Sequence, residues 1–314
     1  MSYKGTREAF SVALTELATI DERIVFVSSD SLKAMRAVAF AEKFPEKYIE
    51  CGISEQGSVD VAAGLAACGQ IPFVGTYAGF LTMRACEQMR TFVAYPNLNV
   101  KFVGINAGLV GGEREGVTHQ FYEDLGILSS IPNVTIFTPA DAQQTYEAVK
   151  ASIEINGPVY IRAGSGREED IYPAGTPFAE EGFRVLRDYG KDLLICASGF
   201  ILNRVIASAE LLQKEGIHAT LADVNILQNR SPEKLIELLK KFDRVLTVED
   251  HNVNGGLGSY ICTLACEHHP MYVERMGLKD TFGESGGAEE LADAYGFSPE
   301  NIGKQVHKLM ERGR

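Results

Sequence analysis

Short apolar runs alternate with longer amphipathic stretches along almost the whole chain. Few folds tolerate that alternation. Each short run reads as a strand and each amphipathic stretch as a helix, and their repetition builds a parallel sheet covered by helices on both faces. The first series predicts strands over 24–28, 48–51, 73–77, 100–105, 134–138 and 159–162, with helices over 6–19, 55–67, 80–94 and 140–155. A second series predicts strands over 193–197, 219–224, 245–248 and 271–274. Its helices are expected over 202–215, 232–242, 257–268, 288–295 and 299–311. Between the two, residues 164–190 are rich in Gly, Pro, Glu and Asp and have weak periodicity, as a linker does. The expected architecture is two consecutive three-layer α/β/α domains, the first with a parallel sheet and the second with a mostly parallel one. The boundaries are 1–165 for the first domain, 166–190 for the linker and 191–314 for the second domain. A chain of 314 residues suits two domains.

Composition narrows the function classes. A net charge of −12 disfavours nucleic acid, whose phosphates need a basic surface. No run of 18 apolar residues is present, so no membrane span is expected. Met1-Ser2-Tyr3-Lys4-Gly5 lacks a signal pattern, which makes a cytoplasmic location the expectation. Cys51, Cys68, Cys86, Cys196, Cys262 and Cys266 are scattered, mostly within apolar segments, and read as buried free thiols. His268 and His269 follow Cys262 and Cys266 too closely for a standard zinc spacing, so no metal site is expected on this chain. A GxxxxGK[ST] loop is absent, as is a GxGxxG turn after a strand. Gly255-Gly256-Leu257-Gly258 precedes a helix and could hold an anion. A tight turn with close helix packing is the better reading.

In open parallel sheets, ligands gather beyond the carboxyl ends of the strands. Four features fall there. Glu55 opens a helix after Cys51-Gly52-Ile53-Ser54, either as a site carboxylate or as a first-turn glutamate favoured by the helix dipole. Tyr77 and Phe80 could be core, or could stack on a planar heterocycle. His119 follows the glycine-rich loop 108–116 between Thr118 and Gln120, a polar setting that favours function. Arg162 ends the sixth strand. A surface ion pair is its simplest role, although with Arg7 it could clamp a phosphate.

The order Gly52-Ile53-Ser54-Glu55-Gln56, Thr76-Tyr77-Ala78-Gly79-Phe80, Gly116-Val117-Thr118-His119-Gln120 and Thr138-Pro139-Ala140-Asp141 resembles the transketolase family. It is similar to the pyrimidine-binding and C-terminal domains of transketolases and of 1-deoxy-D-xylulose-5-phosphate synthases. Val248-Glu249-Asp250-His251, then Gly255-Gly256-Leu257-Gly258 and the stretch from Gly283 to Tyr295, resemble the family's C-terminal domain. The resemblance implies thiamine diphosphate as cofactor. Glu55 would hydrogen-bond N1′ of the aminopyrimidine and favour the imino tautomer that removes the thiazolium C2 proton. Phe80 would stack on the pyrimidine with Tyr77 beside it, and Asp30 matches an aspartate near the cofactor. His119 would handle substrate protons, Glu115 would contact substrate, and Arg7 and Arg162 would hold a sugar phosphate.

Some positions depart from the family pattern. Val117 replaces the usual proline, Asn106 stands where a phosphate-contacting histidine or arginine is expected, and Ala34 replaces a serine. The family's Gly-Asp-Gly and downstream Asn, which hold the diphosphate and metal, are missing from this chain. The resemblance therefore implies an N-terminal partner subunit. That partner would supply most of the site for Mg²⁺ or Ca²⁺, in an α₂β₂ split transketolase that moves a two-carbon ketol unit from a ketose to an aldose, either of them phosphorylated or carrying a different anionic end or none. The β subunit of a 2-oxoacid dehydrogenase and a non-catalytic homologue are the alternatives.

Overall fold

A computed structural model describes residues 3–179, 181–227 and 231–312. Among the described residues twelve strands are formed: β1 Ile24–Ser28, β2 Tyr48–Glu50, β3 Ile71–Tyr77, β4 Lys101–Ile105, β5 Thr135–Phe137, β6 Val159–Arg162, β7 Phe183–Asp188, β8 Leu193–Ser198, β9 Ala219–Val224, β10 Ile226–Leu227, β11 Arg244–Asn252 and β12 Tyr272–Leu278. They make two sheets, ordered β10-β5-β6-β4-β3-β1-β2 and β12-β11-β8-β9-β7. β1, β4, β8 and β9 are buried along their whole length, as parallel strands covered on both faces must be. In the first domain, Phe10, Phe26, Phe40 and Phe73 fill one face of the sheet. Val74, Phe102, Ile136 and Tyr160 fill the other. The expected α/β architecture is the one observed.

Two edge strands depart from the sequence reading. β7 lies inside the segment expected to be linker and pairs antiparallel with β9. It is half-exposed and carries Arg184, Arg187 and Asp188, so it lacks the apolar run that marks an interior strand. β10 leaves the second domain and adds antiparallel to β5, with Ile226 opposite Phe137 and Leu227 opposite Ile136. The first sheet is therefore parallel through six strands and closed at one edge by a strand from the other half of the chain. The cysteines also differ from expectation. Cys196 alone is fully buried, whereas Cys68 and Cys266 are exposed. Cys68 caps the end of helix Glu55–Ala67, and Cys266 lies on the outward side of helix Leu257–His268.

The two domains meet along the end of β11. Asp250 accepts from the backbone N–H groups of Leu109 and Val110 at 2.9 and 3.1 Å. A Cβ on Gly108 would stand 2.1 Å from the Asp250 carboxylate, so glycine is required there. Asn252 N–H donates to the Tyr122 carbonyl at 2.7 Å, and the Tyr122 hydroxyl accepts from Gly283 N–H at 2.8 Å. Asp141 N-caps helix Ala142–Ser152 with one oxygen and binds the N–H groups of Ile171 and Tyr172 with the other. This fastens the interdomain segment to the first domain. Among the described residues no helix is long and apolar enough to cross a membrane.

Candidate active site

Strand ends bring the expected residues to one edge of the first sheet. β1 stops at Ser28, and Asp30 then takes a left-handed turn with φ 49°. Asp30 itself is exposed, and its N–H donates to Glu50 Oε1 at 2.7 Å. The same oxygen accepts from Gly52 N–H at 2.8 Å, which shapes the turn leading to Glu55. Burial raises the Glu50 pKa, but the donors Tyr48, Asp30 and Gly52 outweigh it and hold the carboxyl below its ordinary value. Beneath this edge runs a buried hydroxyl network. Ser29 meets Ser58 at 2.5 Å, and Ser31 meets Thr76 at 2.8 Å, joining β1, helix Glu55–Ala67 and β3.

Glu55 occupies the first position of its helix and is only 3% exposed. Its Oε1 accepts from Arg84 Nη1 at 2.7 Å. The Arg84 guanidinium carbon also lies 4.3 Å from the Phe80 ring centroid. Phe80 opens a π-helical turn, Phe80–Arg84, directly after β3. Four rings cluster there. Phe80 lies 5.4 Å from Tyr77, 5.3 Å from His119 and 5.4 Å from Phe121, and Tyr77 meets His119 edge-on at 4.8 Å. A Cβ on Gly79 would stand 1.9 Å from Phe121, so glycine is what lets the cluster close. His119 is half-buried, and its Nδ1 lies 3.0 Å from Thr118 Oγ1. The second domain braces its loop: Gln120 donates to the Glu284 carbonyl at 2.7 Å, and Ser285 packs against Gly116.

Arg7 lies at the same edge, against residues that follow β1, β4 and β6. Its guanidinium donates to the carbonyls of Gly164 and Ala34 and to Asn106 Oδ1. Asn106 in turn donates to Glu115 at 3.2 Å, so an amide relays between a cation and an anion. Burial lowers the Arg7 pKa from the ordinary guanidinium value, opposed by Tyr77, Glu168 and Glu115. Asn106 takes φ 55°, a left-handed conformation that asparagine adopts more readily than most residues.

Arg162 does not join this group, contrary to the phosphate-clamp expectation. It is 2% exposed and forms a bidentate pair with Asp124, Nε to Oδ2 at 2.9 Å and Nη2 to Oδ1 at 3.1 Å. Nη2 also donates to the Asp250 carbonyl at 2.9 Å, and Tyr160 shares Asp124 at 2.8 Å. The surface ion pair considered as its simplest role is also corrected, because the pair is buried. Sequence reading singled out neither Asp124 nor Arg84. Both are charged residues in helical stretches, and nothing in their spacing announces the partner. Among the described residues no group of three or more His, Cys, Asp and Glu could hold a metal ion.

A buried carboxylate, a cluster of rings and an imidazole lie together at the carboxyl edge of a parallel sheet, in a protein of two α/β domains. The transketolase pyrimidine-binding domain family matches residues 3–166, and the transketolase C-terminal domain family matches residues 182–302. The chain belongs to the transketolase family, as its C-terminal subunit type, and that family generally works with thiamine diphosphate. A Methanocaldococcus jannaschii protein provisionally named a transketolase C-terminal section is 35% identical over 99% of this chain and 98% of its own length. The 6-deoxy-6-sulfo-D-fructose transketolase subunit of Clostridium sp. strain MSTE9 is 33% identical over 98% of this chain and 94% of its own. A solved split-gene transketolase, described as an inactive beta4 tetramer, is 37% identical with a TM-score of 0.90, covering 99% of both chains.

The donor set fits the pyrimidine half of that cofactor. Glu55 can share a proton with a ring nitrogen, and Phe80 offers an aromatic face beside it.

Proposed function

We propose that this chain is the catalytic C-terminal subunit of a split, thiamine-diphosphate-dependent transketolase. It would transfer a two-carbon ketol unit from a ketose to an aldose, with or without a phosphate on either sugar. The observation that carries the reading is the shared position of Glu55, Phe80 and His119, linked through Arg84 and Tyr77. When bound, thiamine diphosphate supplies the electron sink for cleaving the bond beside a ketose carbonyl. Glu55 holds a proton shared with the pyrimidine, and Phe80 and Tyr77 fix the ring's plane. His119 gives and takes protons at substrate hydroxyl and carbonyl oxygens. Arg7 and Glu115, coupled through Asn106, meet the far end of the sugar, and Asp30 borders the cofactor edge.

The rest of the site would come from an N-terminal subunit that holds the diphosphate and a Mg²⁺ or Ca²⁺ ion, in an α₂β₂ assembly. An uncovered apolar surface supports this. Helix Glu55–Ala67 packs against the helical run 80–94; Val61, Met83 and Phe92 on these two are exposed, as are the flanking Ile53 and Tyr95. The domain division at 165 and 190 and the cytoplasmic location belong to the same proposal.

The test is reconstitution. The chain with its partner, thiamine diphosphate and Mg²⁺ converts a ketose phosphate plus an aldose phosphate to the exchanged pair, and Glu55→Ala abolishes turnover. Full activity in Glu55→Ala would end the assignment. Decarboxylation of a 2-oxoacid without ketol transfer would assign the chain to the other enzyme class.

A further inference from the structure

One side chain of this protein, Arg84, engages both residues proposed to hold the pyrimidine. Glu55 offers a buried carboxylate, Phe80 offers a ring face, and Arg84 takes both. Its Nη1 donates to Glu55 at 2.7 Å while its guanidinium carbon stands 4.3 Å from the Phe80 centroid. A guanidinium is planar, carries its N–H donors in that plane and stacks by its face. An aminopyrimidine is also planar and stacks by its face, and its ring nitrogen would share one proton with the carboxyl, so the two groups compete for the same two contacts.

The local structure suits an exchange. Glu55 is 3% exposed and cannot leave, whereas the Arg84 side chain is 48% exposed and can swing to water. Without a partner, the Glu55 carboxylate would be buried uncompensated, which is costly. We infer that Arg84 is a placeholder for the pyrimidine half of the cofactor, neutralising Glu55 and covering Phe80 until the ring displaces it. The inference rests on the thiamine diphosphate reading above. Removing the arginine takes away a competitor and leaves Glu55 short of a partner, and both effects favour the incoming ring.

The full chain is titrated by NMR with 4-amino-2-methylpyrimidine and with thiamine diphosphate plus Mg²⁺, as wild type, Arg84→Ala, Arg84→Lys and Glu55→Gln. Arg84→Ala should bind the aminopyrimidine roughly 3- to 30-fold more tightly than wild type. Arg84→Lys should fall between them, since an ammonium keeps the charge without the stacked plane. Its ion pair to Glu55 also keeps the test open if Arg84→Ala does not fold. The ligand-free thermal midpoint of Arg84→Ala should drop, and the aminopyrimidine should raise it more than it raises that of wild type. Equal or weaker binding by the Arg84 variants would overturn the placeholder and leave the cofactor reading intact. Aminopyrimidine binding that ignores Glu55→Gln, or its absence from every variant even when assembled with the N-terminal subunit, would overturn both.

Discussion

His119 meets Tyr77 at 4.8 Å and Phe80 at 5.3 Å, with Thr118 at its Nδ1. Two rings and a hydroxyl fix the imidazole in orientation while leaving it half-exposed toward the site. Truncation removes a proton carrier but little packing. His119→Ala should therefore lower kcat by roughly 10²–10⁴-fold in the reconstituted enzyme, with the thermal midpoint nearly unchanged. A loss of folding with no selective loss of turnover would assign the residue to structure instead. The placement of Glu55, Tyr77, Phe80 and His119 at one edge was legible in the sequence, because each follows a strand of a parallel sheet and such strands share a carboxyl edge. The destination of Arg162 was not. It follows a strand equally well, but Asp124, 38 residues earlier in the chain, folds onto it and consumes its fork. Arg84 carries no signal in the sequence, because an arginine within a helical run reads as surface, whereas the fold sets it against a buried glutamate.

Helix Leu257–His268 shows how an element's start can be built around one carboxylate. Glu249 sits on β11 and accepts from Leu257 N–H at 2.6 Å and Gly258 N–H at 2.9 Å, satisfying donors that every helix N-terminus leaves open. Burial raises its pKa to about 7, against the pull of those donors. The glycine run 255–258, whose pattern fits a tight turn with close packing, thus approaches an internal carboxylate. A Cβ on Gly256 would lie 2.0 Å from the Glu249 carboxylate and 2.7 Å from His251. Gly256→Ala should push Glu249 off the helix and cost about 1–3 kcal/mol, read by urea denaturation. An unchanged midpoint would show that the carboxylate can yield without loss. Long periodic elements such as this helix were readable to the residue. β7 and β10 were not, because an edge strand with a charged face and a two-residue strand carry no periodicity to detect. The pattern of the run 80–94 predicts one regular helix. It contains two π-helical stretches, and its aromatic and apolar residues do not reveal that widening.

At the scale of the molecule, a buried polar seam couples the two domains, and one titratable group in it should report on pH. His251 is fully buried at the end of β11. Its Nδ1 lies 2.6 Å from the Asn252 carbonyl, and its Nε2 accepts from Gly126 N–H at 3.3 Å. Those partners fix a neutral imidazole that donates at Nδ1 and accepts at Nε2. Burial drives its pKa from 6.5 to about 4, helped by Arg162 and opposed by Asp124, which lies 3.8 Å away. The folded chain thus binds fewer protons at this site than the unfolded chain between those two values. The stabilising contribution is complete above about 6.5, falls as pH drops, and is lost below about 4. Glu249, 3.9 Å from the ring with its pKa raised to about 7, has the opposite dependence, so total stability does not isolate His251. A difference measurement does. His251→Gln keeps a donor and an acceptor but does not titrate, and Glu249 is present in both proteins. The stability advantage of wild type over His251→Gln should shrink by about 3 kcal/mol as pH falls from 7 to 4 in chemical denaturation of the full chain. A difference constant across that range would mean that the imidazole is protonated in the folded seam, with Asp124 and Glu249 compensating its charge.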